Sequence, residues 1–345
     1  MSVLAFELPA ALEAREPPEG RGLARDGVKL MVADGSQRRI EHRRFAELPQ
    51  LLAPGDLLVL NVSATLPAAI PARRTDGGAV RVHFATRAPR LDERWRVVEL
   101  RTADGSRPLR GQAGEKFTLA GSGARLELVA PYASGARLLL ARFDGPLPVE
   151  DYLTRYGEPI SYGYVSRSWP LESYQNVYAT TPGSAEMASA GRPFTPELIT
   201  SLMARGVLLA PITLHAGVSS PERHEPPLPE EFTVPEATAT VVNATREAGG
   251  RVIAVGTTVV RALESAARPD GRLTARKGWT GLVIGPQRGV RVVQGLITGW
   301  HEPEASHLKM LAAIAGEELL ERCYRSALAH DYLWHEFGDS HLLLP

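Results

Sequence analysis

The hydrophobic pattern changes character twice along the chain. Near the amino terminus KLMVAD reads as a strand, and IEHRRFAELPQLL follows it. PGDLLVLN then reads as a turn feeding a buried strand, because Pro54-Gly55-Asp56 punctuates and Leu57–Leu60 is an unbroken apolar run. Between residues 70 and 146 short segments take over: AVRVHFA, RWRVVEL, KFTLAG, ARLELVA and ARLLLARF. Several alternate apolar and polar, and glycine-bearing turns separate them, which is the texture of a small antiparallel barrel or sandwich. From residue 150 onward helical and strand patterns alternate. TPELITSLMARG predicts a helix with Thr195 as N-cap and Gly206 as its stop. ATATVVNATREAGG predicts a helix ending at Gly249-Gly250, and EASHLKMLAAIAGEELLERCYRSALAH a helix broken near Gly316. VLLAPITLHAG, GLVIGP and GVRVVQGLIT read as strands, and RVIAVGTTVVRALESAAR as strand, tight turn and helix. Such alternation predicts a mostly parallel sheet covered by helices, with ligand sites in the loops at the carboxyl ends of its strands.

Composition narrows this only a little. A chain of 345 residues suggests about two domains. Hydrophobic residues at 44% and charged residues at 23% fit a globular protein. Lys+Arg and Asp+Glu both number 39, so bulk positive charge is not available to grip nucleic acid. Arginine is nevertheless dense in the strand-rich stretch, at Arg73, Arg74, Arg81, Arg87, Arg90, Arg94, Arg96, Arg101, Arg107 and Arg110. Two readings stand there: a solvated polar face, or a surface facing phosphates. The one cysteine, Cys323, excludes an intramolecular disulfide and a cysteine-based metal site; it is read either as a buried thiol or as a nucleophile. The chain opens without a long apolar core and has no 18-residue apolar run, so the expectation is a cytoplasmic protein with no membrane partner.

Five stretches carry candidate chemistry. In RVIAVGTTVVRALES, an apolar strand runs into Gly256-Thr257-Thr258 and then a helix bearing Arg261 and Glu264. The glycine permits close approach, and the helix amides and dipole favour an anionic or polar group. No GxxxxGK or GxGxxG is present, so neither phosphate-loop fingerprint applies. In ITLHAG, with Thr213, His215 closes an apolar strand and is placed to act as a base or donor. In LITGWHEPEASHLKML, Trp300 beside His301 suits stacking on a heterocycle. His301 and His307 are six residues apart, which fits no helix-borne metal pair, so no metal is expected. YQNVYATTPGSAEMASAGRPFT places Tyr174, Gln175, Tyr178 and Phe194 around a loop of small residues, including Gly191, that ends at Thr195. That pattern fits a nucleoside pocket or a packed loop. EFGDSHLLL offers Asp339 as an acid or base.

These segments, in this order, resemble the S-adenosylmethionine:tRNA ribosyltransferase-isomerase family of queuosine synthesis. The matching pieces are PGDLLVLN with PAR, PLP, YQNVYA, AG with FT at 190–195, TLHAG, GGRVIAVGTTVVRALES, LIT with HEP, and the Gly338-Asp339 pair. The resemblance covers nearly the whole chain. It implies an α/β fold whose mixed-sheet domain, residues 1–68 and 150–345, is covered by helices and interrupted by a small antiparallel β-barrel over 69–149. It also implies transfer and isomerisation of the ribosyl part of S-adenosylmethionine onto 7-aminomethyl-7-deazaguanine in tRNA with queuosine-family anticodons. Epoxyqueuosine, adenine and methionine are the products, S-adenosylmethionine is a co-substrate, and no bound cofactor is implied. On this reading Gly256, Thr257, Thr258 and Arg261 hold the nucleoside or its methionine carboxylate. His215 is the first candidate base and His301 the second, with Glu264 orienting a partner. Tyr174, Tyr178 and Trp300 are stacking candidates, and Gln175, Gly191, Thr195, Thr213 and Asp339 line the pocket. A monomer or weak oligomer is expected.

The chain departs from the family's pattern at LNVSATLPAAIPAR, EMASAGRPFT, VSSPERHEPPLPEEFTVP, TGWHEPEASHLKML and YLWHEFGDSHLLL. The departures keep two alternatives beside the family reaction: a related transferase with a small-molecule acceptor, and a non-catalytic relative that binds a nucleoside or RNA. A tRNA enzyme needs a local basic face beside its cleft, a small-molecule enzyme a closed pocket, and a binding protein binds without releasing adenine.

Overall fold

The computed structural model describes residues 4–132, 137–218, 228–303 and 305–344. The strands are β1 Lys29–Asp34, β2 Arg39–Arg44, β3 Leu57–Asn61, β4 Ser63–Thr65, β5 Ala69–Arg74, β6 Ala79–Arg87, β7 Trp95–Thr102, β8 Pro108–Leu109, β9 Lys116–Leu119, β10 Arg125–Pro131 and β11 Leu138–Asp144. Beyond them come β12 Thr181–Ser184, β13 Leu208–Leu214, β14 Glu230–Val234, β15 Val252–Val255, β16 Arg276–Thr280, β17 Gly295–Thr298 and β18 Ser340–Leu344. The helices are α1 Leu48–Leu51, α2 Val149–Tyr156, α3 Pro196–Ala204, α4 Glu236–Glu247, α5 Thr257–Ala266, α6 Ser306–Ala315 and α7 Glu317–Ala329.

A nine-stranded mixed sheet runs β16-β14-β13-β3-β15-β17-β18-β1-β2. Its centre, β13, β3, β15 and β17, is parallel. Alternate side chains of β3 explain its unbroken apolar run. Leu57 and Val59 join the core beneath α4 to α7, whereas Leu58 and Leu60 join a second core with Phe45, Leu198 and Leu202. A strand covered on both faces needs apolar residues at every position.

The short alternating segments form a second sheet. Six antiparallel strands close on themselves because β11 pairs with β7 as well as β10, giving a barrel to which β8 adds on β7. Closure removes the exposed edges of the sheet. The barrel also buries ions: Glu99 meets Arg101 at 3.1 Å and Arg137 at 3.4 Å. Half of the ten barrel arginines face carboxylates. Arg74 pairs with Glu115, Arg81 with Glu158, Arg87 and Arg96 with Glu150, and Arg101 with Glu99. These five are therefore engaged within the protein.

Two predicted strands differ. GLVIGP forms none, and GVRVVQGLIT forms one only over β17. In the second stretch the Glu264 carboxylate accepts the N–H groups of Arg291, Val292 and Val293 and so diverts them from any ladder; nothing in the structure explains the first. The helix break at Gly316 is real; its φ of +79° separates α6 from α7. Among the described residues no helix is long and apolar enough to cross a membrane.

Candidate active site

The parallel strands β3, β13, β15 and β17 bring Asn61, Leu214, Val255 and Thr298 to one edge of the sheet. Asn61, buried, is the tie between them. Its Nδ2 donates to the Leu214 carbonyl at 2.8 Å and to Thr258 Oγ1 at 3.3 Å. Its Oδ1 accepts from the N–H of Leu214 at 3.0 Å and of Ser63 at 3.1 Å. One amide thus fixes the ends of β3 and β13 to the start of α5.

His215 follows directly. Its Nδ1 stands 2.8 Å from Ser63 Oγ, which stands 2.6 Å from Ser184 Oγ. Ser184 Oγ also accepts from the Ala216 N–H at 2.9 Å. Burial holds the imidazole below its ordinary pKa of 6.5; Glu231 and Glu150 oppose that, while Arg87 and Lys277 reinforce it. The ring is therefore neutral at pH 7 and free to accept a proton. Gly183 makes room for it: a Cβ there would lie 2.4 Å from His215 Nδ1.

Beside this relay the chain turns from β15 into α5. Gly256 has φ +97° and no side chain caps the helix, so its first amides are not met by an N-cap side chain. Thr257 and Thr258 are half-buried there. A Cβ on Gly256 would come within 3.5 Å of Ala190, so the 189–191 loop packs against the turn. A crevice opens between that loop and residues 335–340, lined by Ser189, Ala190, Arg192, Gly299, Glu336 and Asp339. Tyr164 donates its hydroxyl to Glu336 and stacks on His335 at 4.0 Å. Burial pushes the Glu336 carboxyl up to about 7.

The remaining sequence candidates fall in different places. His301 Nε2 stands 2.9 Å from Thr298 Oγ1, its ring stacks on His307 at 4.6 Å, and burial drives its pKa well down. Arg261 is buried against Glu230 and donates to the carbonyls of Leu228 and Thr280, each at 3.0 Å. Glu230 in turn accepts the Gly217 N–H at 2.9 Å. Arg261 therefore braces the loop behind His215. Glu264 is buried beneath Arg288 and the 291–293 backbone. Asp339 accepts the N–H of Lys29 at 2.7 Å and of Leu333 at 2.8 Å, joining the crevice from below.

The aromatic candidates are packed inward. Trp300 is 3% exposed, lying parallel to His341 at 4.6 Å and edge-on to Tyr324 at 4.9 Å. Tyr174 is buried against Phe337 at 5.1 Å, and Tyr178 meets Phe194 edge-on at 5.9 Å. Gly191 gives the Tyr178 hydroxyl its space; a Cβ there would lie 1.9 Å from that oxygen. Gln175 exchanges two hydrogen bonds with the Thr65 backbone, at 3.0 and 2.7 Å. Thr195 caps α3 through the Leu198 N–H at 3.1 Å. Thr213 pairs with Thr233 in the sheet. Cys323 is buried, and burial pushes its thiol up to about 12, which makes it inert.

Sequence reasoning missed Asn61, Ser63, Gly183, Ser184, Tyr164 and Glu336. The asparagine ending the β3 run was a visible signal; TTPGS and SYGYV carried none. Residues 219–227 of the proline-rich departure lie outside the described residues. Among the described residues no group of three or more His, Cys, Asp or Glu side chains is placed to hold a metal ion.

Residues 1–343 match the family model described as queuosine biosynthesis protein. An S-adenosylmethionine:tRNA ribosyltransferase-isomerase of Thermus thermophilus is 38% identical, with 98% of each chain covered. One from Symbiobacterium thermophilum is 37% identical, again over 98% of each. The crystal structure of the S-adenosylmethionine tRNA ribosyltransferase of Thermotoga maritima aligns with a TM-score of 0.56 at 32% identity, covering 99% of this chain and 100% of that one. Full-length similarity of this kind joins the chain and its fold to one enzyme family of ribosyltransferase-isomerases, and the chain belongs to the queuosine biosynthesis protein family.

Proposed function

We propose that this chain transfers and isomerises the ribosyl moiety of S-adenosylmethionine onto 7-aminomethyl-7-deazaguanine in tRNA, forming epoxyqueuosine and releasing adenine and methionine. The observation that carries the reading is the neutral His215, held by Ser63 beside an uncapped helix N-terminus at the carboxyl edge of the sheet. The named relatives support the choice of substrates.

In this reading His215 Nδ1–H donates to Ser63 Oγ, and the Ser63 hydroxyl donates to Ser184. That tautomer leaves Nε2 as the acceptor of a proton from beside the sulfonium or from the acceptor amine. The amides of Thr257 and Thr258 receive the nucleoside or the methionine carboxylate, at the turn that Gly256 makes after giving its own N–H to the Ile297 carbonyl at 2.8 Å. Glu336 and Asp339 line a crevice of about 10 Å³, room for one water, at the sheet edge where the extruded base must dock. His301 stands behind the site as a second base candidate. Arg261, Glu264, Tyr174, Gln175, Tyr178, Gly191, Thr195, Thr213 and Trp300 shape the site through the contacts described above. Residues 1–68 and 150–345 form the catalytic unit and 69–149 the inserted barrel. The protein works as a monomer or weak oligomer, with S-adenosylmethionine as co-substrate and no bound cofactor.

The test is one incubation of the protein with S-adenosylmethionine and tRNA carrying the aminomethyl-deazaguanine base, read by mass spectrometry. Adenine together with epoxyqueuosine is expected. Saturable S-adenosylmethionine binding without either product overturns the choice of acceptor.

A further inference from the structure

A second notch adjoins the crevice, and the reaction as drawn above does not use it. Lys29, His42, Arg43, Arg44 and His330 surround a space of about 310 Å³, completed by Glu47 and Tyr332. In a chain of zero formal charge this is a local cationic excess. The rings of His42 and His330 lie face to face, 4.1 Å apart, and His42 Nδ1 stands 3.0 Å from the Tyr332 hydroxyl. The Lys29 ammonium donates to the carbonyls of His330 and Asp331, at 2.8 and 2.7 Å, which builds the floor. Arg43 is neutralised by Glu41 and Glu47. The Arg44 side chain bonds the Gly27 carbonyl at 2.9 Å, and among the described residues no carboxylate pairs with its charge.

The position of the notch is what gives it a use. Lys29 and Arg44 are direct partners in the β1–β2 ladder, and Leu30 pairs with Ser340. They therefore lie at the same sheet edge as the crevice. Val28, Asp339 and Ser340 line the crevice, and Lys29, the next residue after Val28, lines the notch. The two spaces are neighbours along one strand end.

We propose that this notch seats a backbone phosphate of the RNA whose base docks at the same sheet edge, with the Arg44 guanidinium as its donor and the outer edge of His330 beside it. The identity of the polymer rests on the reaction proposed above; the chemistry of the notch, cations around an open space of about 310 Å³, does not. A phosphate contact of this kind fixes register without reading sequence.

The experiment measures binding of an anticodon stem-loop RNA by fluorescence anisotropy across a salt series, with Arg44→Glu, His330→Ala and the control Arg205→Glu. Arg205 is exposed at the opposite edge, just before β13, and carries the same change of charge. Arg44→Glu should weaken binding about tenfold or more and lower the salt slope by about one. His330→Ala should weaken it several-fold, and Arg205→Glu should bind as the unmodified protein does. Thermal melts confirm that each variant is folded. Unmodified affinity and slope in Arg44→Glu and His330→Ala overturn the proposal, as does an equal loss in Arg205→Glu. Binding needs no turnover. RNA held through Arg44 by a protein that releases no adenine therefore supports the notch while refuting the reaction.

Discussion

His215 Nδ1 and Ser63 Oγ stand 2.8 Å apart, joining the end of β13 to β4 across 152 positions of sequence. If this contact sets the reactive tautomer, His215→Ala should lower turnover about 10²-fold or more while the fold persists. Ser63→Ala should cost less, since it removes the orienting group and keeps the base. Adenine release gives the rates and circular dichroism the fold. Loss of folding with normal turnover in the residual folded protein would assign His215 a structural role. The lowered pKa of His215 places the acid limb of kcat/KM below pH 6.5, with activity rising as pH rises through it.

Gly183→Ala tests the same ring from behind. Its new Cβ would meet His215 Nδ1 at 2.4 Å, and the imidazole must shift. A displacement of this size is expected to lower kcat about tenfold to a hundredfold. Because Gly183 has φ +154°, the new side chain also strains the backbone and the thermal midpoint should fall too; an unchanged kcat in the folded variant would show that the ring need not hold this position.

Glu264, expected to orient a partner of the catalytic base, is a buried acceptor for Arg288 and the backbone of 291–293. Glu264→Ala strands those donors and should cost about 2–4 kcal/mol of stability. Denaturant unfolding measures it. The shape of the pH–rate profile should not change, because the group exchanges no proton with substrate.

How far the sequence could be read depends on the range of each interaction. The buried strand at Leu57–Leu60, the alternating barrel strands and the cap of Thr195 are local patterns, and each was legible. The site was legible where one turn carries it, as at Gly256-Thr257-Thr258. It was not legible where partners meet from afar: Ser184 reaches Ser63 from 121 positions away, and Glu336 meets Tyr164 across 172. Nor does a charged residue on an amphipathic helix announce its partner. Arg261 and Glu264 read as ligand-facing, and the fold turns both onto backbone carbonyls and amides.

Acid should unfold this protein through its buried histidines. Burial lowers His83 and His341 to about 3 and His307 to about 4. A depressed pKa contributes stability that is present above the unfolded value near 6.5 and lost as pH falls toward the folded one. Melting temperature should therefore drop from pH 6.5 downward. His341→Phe, which keeps the stack on Trp300 and deletes two ring nitrogens without hydrogen-bond partners, should flatten that drop. Glu336 works in the opposite sense. Its raised carboxyl stabilises below about pH 4.5, and that contribution is lost as pH rises through about 7.

The chain enters the barrel at Ala69 and returns at Glu158, and those two residues exchange backbone hydrogen bonds of 2.9 and 2.8 Å. Antiparallel partners of this kind hold their Cα atoms roughly 5.5 Å apart. This neck is not the barrel's only tie to the sheet: Ala185 and Val218, which flank the His215 loop, join the barrel's core, and Arg87 of β6 reaches Glu231 at 3.6 Å. The inserted barrel therefore supplies part of the surroundings of His215, and a change in its packing is felt at that imidazole, whose electrostatics already include Arg87.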